Sequence, residues 1–367
     1  MRVGVIGLGQ AGGRIADLLA YYHKWGIHGR IAPFTMAVNT ARSDLMGLKA
    51  IPQKDRILVG QTEARGHGVG TLRDAGAQMM QSGMLAIVHT VAGKMTEHID
   101  GFLVIAGLGG GTGSGGAPVL VKALKELYDH PVYVLGILPG DDDGKLMARN
   151  ALDCVDDLNP IADGTLFFDN NLWKREGMTL AQAFNEMNHS LVQPLPSLFG
   201  AGEATNGRVG VKVVDAADIM NSWKGLSVLG FSEIRARTLK NKLFFFKKRD
   251  SIGELSPTLR CYTVIKSAVA AGMTCRCVLK EAGRGLLMIS GPKSQINVEG
   301  FFQAKSWLEQ EIDSYEIRGG DYPIGAIDQL RGIVLLSGFT DLPRLQELRT
   351  RVNGNGHSPK ENSNGQA

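Results

Sequence analysis

Two glycine-rich segments contain the residues best suited to bind an anionic ligand. Residues 7–14 are Gly-Leu-Gly-Gln-Ala-Gly-Gly-Arg and follow the apolar run 3–6. Residues 107–118 are Gly-Leu-Gly-Gly-Gly-Thr-Gly-Ser-Gly-Gly-Ala-Pro and follow the apolar run 102–106. Glycine lets backbone N–H groups approach a ligand closely, and a helix after the loop adds further donors and the positive end of its dipole. Both segments therefore predict phosphate-binding loops.

Three alternative roles fit these segments less well. The first segment satisfies G-x-G-x-x-G, but a dinucleotide site also needs an acidic residue about 20 residues later, at the end of the second strand. That strand ends Ala-Val-Asn-Thr at residues 37–40, with no carboxylate before Asp44, so a dehydrogenase is the least favoured alternative. A P-loop is excluded because G-x-x-x-x-G-K-[ST] does not occur. A flexible connector is disfavoured for residues 107–118, since linkers do not normally separate a buried strand from a helix.

A pair of aspartates could supply the chemistry that phosphate hydrolysis needs. Residues 213–218 are Val-Val-Asp-Ala-Ala-Asp, at the start of a helical segment. Asp215 and Asp218 are three residues apart, so on a helix they face the same way and can together orient one water. Attack on a terminal phosphate depends on such positioning more than on covalent catalysis. A surface acidic pair without a role is the alternative.

The elements that must position these residues follow an alternating pattern in the first half of the chain. Short apolar runs alternate with helical periodicity, which is typical of a parallel sheet covered on both faces. The predicted strands are residues 3–6, 34–38, 57–59, 102–106, 132–138 and 165–168, and helices are predicted at 12–22, 71–90 and 119–128. A long amphipathic stretch, residues 179–191, then runs to a Pro-Leu-Pro break at 194–196.

The second half predicts a smaller α+β domain. Extended runs at 226–234, 286–290, 314–317 and 333–336 are separated by helices, among them 258–271 and 298–311. We expect a nucleotide-binding domain at 1–205, which includes a core helix at about 179–198, and a second domain at 206–352. Residues 353–367 are polar and nearly free of apolar side chains, so they predict a disordered tail.

Composition narrows the range of partners. The 367 residues are 44% hydrophobic and 21% charged, with a formal net charge of +4. The most basic segment, 240–249, is less basic than nucleic-acid binders usually are, so no nucleic-acid partner is expected. It predicts a solvated loop, with a membrane or polymer contact through 243–249 as the alternative. Residues 102–121 lack charge but contain too much glycine for a membrane helix. With no signal peptide before the first strand, we expect a cytoplasmic protein.

Residues 109–115, Gly-Gly-Gly-Thr-Gly-Ser-Gly, resemble the loop with which the tubulin/FtsZ superfamily grips nucleotide phosphates. The resemblance continues in order over nearly the whole chain. Residues 9–12 resemble the tubulin form of the first phosphate loop, residues 37–41 are similar to the second, and residues 66–70 lie where the family contacts the γ-phosphate. It implies these phosphate-side residues: Gln10, Ala11, Gly12, Gly13, Arg14, Asn39, Gly68, Gly109, Gly110, Gly111, Thr112, Gly113 and Ser114.

The same resemblance implies the fold, the ligand and the contacts to ribose and base. The implied fold is a Rossmann-like parallel-sheet GTPase domain joined by a long core helix to a smaller α+β domain. The implied ligands are GTP or GDP with Mg²⁺, for which no metal-binding residues are assigned. The family's ribose-binding acid falls nearest Asp143, and Asn170 matches an asparagine that helps hold guanine. Phe184 and Asn188, at i and i+4 of one helix, match an aromatic that stacks on the base and an asparagine that contacts its edge.

The resemblance also implies where hydrolysis occurs. Residues 213–218 resemble the family's synergy loop, which leaves its own nucleotide untouched and enters the site of the neighbouring subunit. Asp215 and Asp218 would then act in trans within a head-to-tail homopolymer. Many FtsZ chains carry asparagine two residues before the first acid, whereas this chain has Val213.

Taken together, the motifs are most similar to the archaeal tubulin-like family CetZ. The first phosphate loop is like that of tubulin, whereas the length and compact second domain are like those of FtsZ. The resemblance implies a polymerising GTPase that takes part in controlling cell shape. An FtsZ-type division GTPase is the first alternative. A nucleotide-binding structural or regulatory protein without significant hydrolysis, which Val213 favours, is the second.

Overall fold

The structure is a computed structural model, and it describes residues 1–25, 31–173, 179, 190–201, 212–235, 256–314, 316–324 and 327–354. The strands are β1 (Val3–Leu8), β2 (Thr35–Asn39), β3 (Arg56–Leu58), β4 (Gly101–Gly107), β5 (Val132–Leu138), β6 (Gly164–Asp169), β7 (Gly225–Arg235), β8 (Arg284–Gly291), β9 (Ile317–Pro323) and β10 (Gln329–Phe339). The helices are α1 (Gly9–Trp25), α2 (Arg42–Met46), α3 (Arg73–Ala92), α4 (Gly111–Leu127), α5 (Lys145–Leu158), α6 (Pro194–Gly200), α7 (Ala216–Ser222), α8 (Pro257–Ala271), α9 (Val298–Ile312) and α10 (Pro343–Asn353).

Within the described residues the strands form one ten-stranded sheet in the order β3-β2-β1-β4-β5-β6-β7-β10-β8-β9. Strands β1 to β6 are all parallel to one another. The chain order reverses between β1 and β4, since β2 and β3 lie on one side and β5 and β6 on the other. In open parallel sheets, ligands bind at the carboxyl ends of the strands beside such a reversal. The two glycine-rich segments follow β1 and β4, so the topology brings them to that position.

Alternate side chains of the central strands enter two different cores. In β1, Val3 and Val5 pack with residues of α1 and α6, whereas Ile6 and Leu8 pack with residues of α3, α4 and α5. Successive side chains of a strand point to opposite faces, so helices cover this sheet on both sides. The covered parallel sheet predicted for the first half of the chain is confirmed.

The second half of the chain extends the same sheet with mixed pairing. β7 pairs in parallel with β6, β10 is antiparallel to β7 and β8, and β9 is parallel to β8. Strands β7, β8 and β9 therefore run in the same direction as β1 to β6. Their amino ends lie at the edge of the sheet opposite the glycine-rich loops.

Two expectations about local structure are wrong. The sequence predicts a loop at residues 111–118, but they are the first turns of α4, because their glycines let this helix pack closely. A Cβ on Gly113 would lie 2.3 Å from the carbonyl oxygen of Gly107. The strand expected at 314–317 lies further along the chain, as β9 (Ile317–Pro323), which contains Gly319 and Gly320. A Cβ on Gly320 would lie 2.1 Å from the carbonyl oxygen of Lys212, so only glycine fits there. Glycine weakens the sequence pattern of a strand, and this is why the prediction places the strand too early in the chain.

Several predicted features lie outside the described residues. These include Phe184 and Asn188, most of the expected core helix, the basic segment 243–249 and all but the beginning of the expected tail. Among the helices that are described, none has the length and apolar character needed to cross a membrane.

Candidate functional site

A cavity of about 380 Å³ opens at the carboxyl ends of the parallel strands. Its walls come from the segments that follow β1, β2, β4, β5 and β6, and from the segment that precedes α3. The structure thus brings the predicted loops together around one space. The predicted site residues that line it are Gln10, Ala11, Asn39, Gly68, Gly109, Gly110, Gly111, Thr112, Gly113, Asp143 and Asn170.

Two helices direct their amino termini into this cavity. α1 begins at Gly9, directly after β1, and α4 begins at Gly111, and both helix starts line the cavity. Each helix is 17 residues long, so each presents unpaired N–H groups and the positive end of a dipole. No lysine or arginine is among the described lining residues. An anion in this cavity would therefore be held mainly by backbone N–H groups.

The loop between β4 and α4 is fixed by the segment that precedes α3. The N–H of Gly111 donates to the carbonyl of Gly70 at 2.8 Å. The buried amide of Asn150 donates to the carbonyls of Thr71 at 2.8 Å and Gly109 at 3.0 Å. One side chain of α5 thus joins two loops that face the same cavity. Sequence reasoning missed Asn150, because an asparagine in an amphipathic helix gives no signal of its partners.

Polar side chains beside the start of α1 form a second fixed network. Asp44 accepts hydrogen bonds from Gln10 Nε2 at 3.2 Å and from Asn39 Nδ2 at 3.1 Å. The other side-chain atom of Asn39, Oδ1, accepts from the N–H of Ala41 at 3.1 Å. The network orients Gln10 and Asn39, which the sequence predicts as site residues. It also includes Asp44, which follows the second loop and lines the cavity.

The predicted γ-phosphate loop, residues 66–70, has a left-handed backbone at Gly68. Its φ is +86°, a conformation that side chains rarely allow, and its N–H donates to the carbonyl of Thr40 at 3.2 Å. The hydroxyl of Thr40 lies 2.8 Å from that of Thr112, forming a buried hydrogen bond. Residues from three predicted phosphate loops therefore meet on one wall.

The other end of the cavity is formed by the loop after β5 and the end of β6. Asp143 Oδ2 accepts a hydrogen bond from the N–H of Gly140 at 2.7 Å, which closes this loop. Asn170 lines the cavity, and its Oδ1 is buried without a hydrogen-bond partner in the described part of the chain. Buried polar atoms are normally paired, so this atom fits a ligand that donates a hydrogen bond.

Four predicted site residues do not line the cavity: Gly12, Gly13, Arg14 and Ser114. A Cβ on Gly12 would lie 2.0 Å from the carbonyl oxygen of Ile105, so this glycine allows α1 to approach β4. Gly13 is buried and Arg14 is exposed. The hydroxyl of Ser114 donates to the carbonyl of Gly110 at 2.5 Å. Among these four, Gly12 and Ser114 support the two glycine-rich segments without lining the cavity.

Asp215 and Asp218 form a reciprocal cap at the start of α7. Asp215 Oδ1 accepts from the N–H of Asp218 at 2.8 Å, and Asp218 Oδ2 accepts from the N–H of Asp215 at 3.4 Å. Asp218 also pairs with Arg318 Nη1 at 2.9 Å. The two acids therefore stabilise the helix start. They remain accessible, since Asp215 is exposed and the side chain of Asp218 is 28% exposed.

This acid pair lies at the edge of the sheet opposite the cavity. α7 leads into β7, whose first residue, Gly225, pairs with the first residue of β6, Gly164. Arg318 is the second residue of β9, which runs in the same direction. β6 has six residues, so its two ends are separated by five steps of about 3.3 Å, or about 17 Å. The aspartates of one molecule therefore cannot reach the cavity of that molecule.

This sheet topology and the glycine loops around the cavity define a nucleotide-binding fold of the tubulin/FtsZ class. Residues 2–176 match the model of the tubulin/FtsZ family GTPase domain, and residues 177–353 match that of the C-terminal domain of tubulin-like CetZ. The chain belongs to the tubulin-like CetZ family, as its motifs predict.

Individual relatives agree with this assignment over nearly the full chain. The chain is 37% identical to the tubulin-like protein CetZ1 of Haloferax volcanii, over 95% of this chain and 91% of CetZ1. The structure of CetZ1 from Haloferax volcanii as a GDP-bound monomer has a TM-score of 0.85 at 34% identity, and the match covers 96% of this chain and 98% of that one. The GTPγS-bound protofilament of CetZ2 from the same organism has a TM-score of 0.83 at 32% identity, covering 96% and 97%. The predicted fold is confirmed.

Proposed function

We propose that this protein binds GTP in the cavity, polymerises head to tail and hydrolyses GTP where two subunits meet. The observation that carries this proposal is the placement of the cavity and the acid pair at opposite edges of one sheet. Two different surfaces that fit one another form a heterologous contact, and such contacts repeat into a filament unless the rotation closes a ring. The protofilament formed by the related CetZ2 supports this arrangement.

The cavity is suited to hold the nucleotide in one orientation. The amino termini of α1 and α4 would take the phosphates, since their N–H groups and dipoles favour negative charge. At the other end, the unpaired Oδ1 of Asn170 would take the base, because the Watson–Crick edge of guanine offers N–H donors. Asp143 would face the ribose. Phe184 and Asn188 remain proposed contacts to the base.

Hydrolysis in this scheme requires the next subunit. Asp215 and Asp218 of that subunit would lie over the γ-phosphate and orient the attacking water. The pairing of Asp218 with Arg318 and the capping contacts hold both carboxylates in place before the subunits meet. No covalent intermediate is needed, because water attacks the phosphorus directly and GDP leaves.

Mg²⁺ would enter with the nucleotide rather than occupy a separate protein site. Within the described residues, no group of three His, Cys, Asp or Glu side chains could hold a metal ion. Mg²⁺ is usually bound by phosphate oxygens together with one or two carboxylates, where it neutralises developing charge. Asp44 fits that role, because it is the carboxylate on the cavity wall beside the start of α1.

Assembly and turnover would be coupled through shared residues. While GTP is bound, the γ-phosphate contacts the loop at 68–71 and the acids of the neighbour. Loss of the γ-phosphate removes these contacts and weakens the joint between subunits. In the cell, we expect such filaments to take part in controlling shape, and localisation in dividing cells would distinguish this role from that of a division ring.

The test follows light scattering and phosphate release together after GTP addition, across a series of protein concentrations. If the site is completed by a neighbour, phosphate release per molecule rises with protein concentration and follows the scattering signal. Equal release per molecule in dilute and concentrated samples would contradict a shared site.

Variants of the acid pair test the same proposal at the residue level. We expect Asp215→Ala and Asp218→Ala to bind GTP and form filaments that turn over slowly. Alanine also removes the helix cap, at a cost of about 1 kcal/mol, so Asp215→Asn and Asp218→Asn are the sharper versions. Arg318→Met is the matched control, because it breaks the ion pair of Asp218 but keeps the carboxylate. Hydrolysis at the parental rate in the Asn variants would rule out the acids.

A nucleotide-binding protein without significant hydrolysis is the second candidate. It is favoured by Val213, whose side chain is apolar and 42% exposed beside the acid pair. It is also favoured by the structural role of both aspartates in capping α7. Filaments that form with GTP and release no phosphate would identify this alternative.

A further inference from the structure

Arg344, in the first turn of α10, is a buried cation far along the chain from the nucleotide loops. Its side chain is only 2% exposed. Arginine is almost never fully buried unless it is paired, because removing its charge from water is costly. The contacts that balance this cost all involve α10 itself or the end of the cavity where Asp143 and Asn170 lie.

The guanidinium binds the loop after β5 through two separate nitrogens. Nη2 donates to the carbonyl of Pro139 at 2.7 Å, and Nη1 donates to Asp141 Oδ1 at 2.7 Å. On the same helix, Arg351 Nη1 donates to the carbonyl of Gly140 at 3.0 Å. Residues 139–141 of the loop therefore all accept hydrogen bonds from α10. Two of the residues that line the cavity, Pro139 and Asp143, belong to this loop.

Arg344 also reaches the end of β6. Its Nε lies 3.4 Å from Asp169 Oδ1, which is an ion-pair distance without a well-formed hydrogen bond. Asp169 is fully buried, and its Oδ1 also accepts from the N–H of Asn171 at 3.0 Å, which closes the turn around Asn170. Burial raises the pKa of Asp169, and the Asn171 bond and the charge of Arg344 oppose that rise. The arginine thus supports the carboxylate that shapes the turn beside the cavity.

We infer that Arg344 is a positioning residue for the ribose and base end of the nucleotide site. In the described part of the chain its hydrogen bonds and ion pairs involve no residue of the phosphate loops, and they join the two segments that carry Asp143 and Asn170. A planar guanidinium with several fixed donors suits this task, whereas lysine presents a single point of charge. This inference rests on the proposed binding of GTP in the cavity. It assigns to α10 a role in nucleotide affinity, separate from the hydrolytic acids.

The test compares GDP affinity by calorimetry in the full-length chain. Arg344→Lys keeps a charge near Asp169 but cannot bind Pro139 and Asp141 together, so we expect its Kd for GDP to rise about tenfold. Asp141→Asn removes the negative charge of one partner of Arg344 but keeps an acceptor oxygen, so it should change affinity in the same direction by less. Arg349→Met is the control, since Arg349 lies on the same helix and pairs with Asp341 instead. It should leave the GDP affinity unchanged.

Hydrolysis at saturating GTP separates positioning from a general loss of structure. For Arg344→Lys we expect KM to rise with Kd while kcat stays at the parental value, because the phosphate loops and the acids are intact. Parental GDP affinity in folded Arg344→Lys and Asp141→Asn would overturn the inference, as would a fall in kcat without a change in Kd. The proposed function fails separately, if the parental chain does not bind GDP or if its hydrolysis is independent of concentration.

Discussion

The glycines of the loop between β4 and α4 have two different tasks, depending on what a side chain would meet. A Cβ on Gly110 would meet nothing within 4 Å, whereas a Cβ on Gly113 would lie 2.3 Å from a backbone oxygen. Gly110 has an extended backbone, with φ −83° and ψ 163°, which any residue can adopt. Gly110 is therefore dispensable for the fold and faces the ligand space. Gly113 is required for packing even though it also lines the cavity.

This difference gives a matched pair of variants. Gly110→Ala should weaken GDP binding at least tenfold, because its methyl group occupies space needed by the phosphates. Its free energy of unfolding should fall by less than about 1 kcal/mol, the expected effect of a poorer helix cap. Gly113→Ala should lower the free energy of unfolding by about 1–3 kcal/mol, because the backbone must move. Urea denaturation and calorimetry measure both effects, and equal destabilisation by the two variants would contradict this division of tasks.

At this scale the sequence predicts residues of the cavity wall well and their supports poorly. Gln10, Asn39 and Thr112 belong to motifs with a recognisable order, and all three line the cavity. Asn150 and Arg344 belong to no motif, because their roles depend on contacts with residues far away in the chain. Only the folded chain shows which distant carbonyl or carboxylate a buried polar side chain will meet.

At the scale of elements, α3 and α4 cross at a point where both helices carry glycine. A Cβ on Gly76 would lie 2.0 Å from the carbonyl oxygen of Gly111, the first residue of α4. Glycine costs a helix about 1 kcal/mol relative to alanine, so its presence here reflects close packing rather than helix propensity. The crossing fixes the start of α4, which also lines the cavity.

We expect Gly76→Ala to lower the free energy of unfolding by about 1–3 kcal/mol, despite the better helix propensity of alanine. It should also weaken GDP binding, because α4 must move away at its ligand-facing end. Gly144→Ala is the control, since a Cβ there meets nothing within 4 Å at the start of another helix. A more stable Gly76→Ala protein would show that propensity outweighs packing at this crossing.

An ion pair between Asp341 and Arg349 should make stability depend on pH. Burial alone would raise the pKa of Asp341, but hydrogen bonds from Arg349 and the Leu342 N–H, with the charge of Arg349, hold this pKa below its ordinary value of 3.8. Arg349 Nη1 donates to both carboxylate oxygens, at 2.8 and 2.7 Å. A depressed pKa in the folded state stabilises the fold above pH 3.8 and loses this effect as the pH falls through the folded pKa.

Asp341→Asn should therefore lower the free energy of unfolding at pH 7 by up to about 1 kcal/mol, because the pair is partly exposed. The difference from the parental chain should shrink as the pH falls below 3.8. Chemical denaturation at a series of pH values measures this. Asp153→Asn, in a more exposed pair with Arg149, is the control and should cost less at pH 7. A difference that is constant with pH would exclude the ion pair as its cause.

Elements with regular periodicity are predicted from the sequence more accurately than those that contain glycine or proline. Residues 132–138 and 258–271 agree with β5 and α8 to within a residue. β9 is displaced in the prediction because Gly319 and Gly320 interrupt its pattern. α10 is absent from the prediction, although its proline is well placed at the first turn. In these cases tertiary packing outweighs local propensity.

At the scale of the whole molecule, the two halves of the proposed active site lie at opposite ends of the parallel strands, about one strand length apart. The carboxyl ends of β1, β2, β4, β5 and β6 lie at the cavity, and the segment before β7 brings Asp215 and Asp218 to the other edge. A contact between unlike surfaces leaves one surface free at each end, so each added subunit creates the same binding site again. In the proposed scheme, hydrolysis occurs in this joint and depends on the cavity of one subunit and the acids of the next.

This arrangement predicts that two defective variants restore activity to one another, at a GTP concentration that fills the parental cavity but leaves most Gly110→Ala cavities empty. Asp218→Asn subunits have an intact cavity, and Gly110→Ala subunits have intact acids. Each variant alone forms only defective joints, but about a quarter of the joints in an equal, randomly ordered mixture pair a sound cavity with sound acids. We expect phosphate release from the mixture to reach about that fraction of the parental rate, provided that the Gly110→Ala subunits still assemble; light scattering verifies this.

The mixture distinguishes a shared site from one contained within each subunit. If cavity and acids acted within one molecule, every subunit in the mixture would retain its own defect, and release would equal the mean of the two variants measured separately. Asp218→Asn mixed with Asp215→Asn is the control, because both carry the defect at the same edge. Rescue in the first mixture without rescue in the second requires that the cavity of one molecule meet the acids of the next.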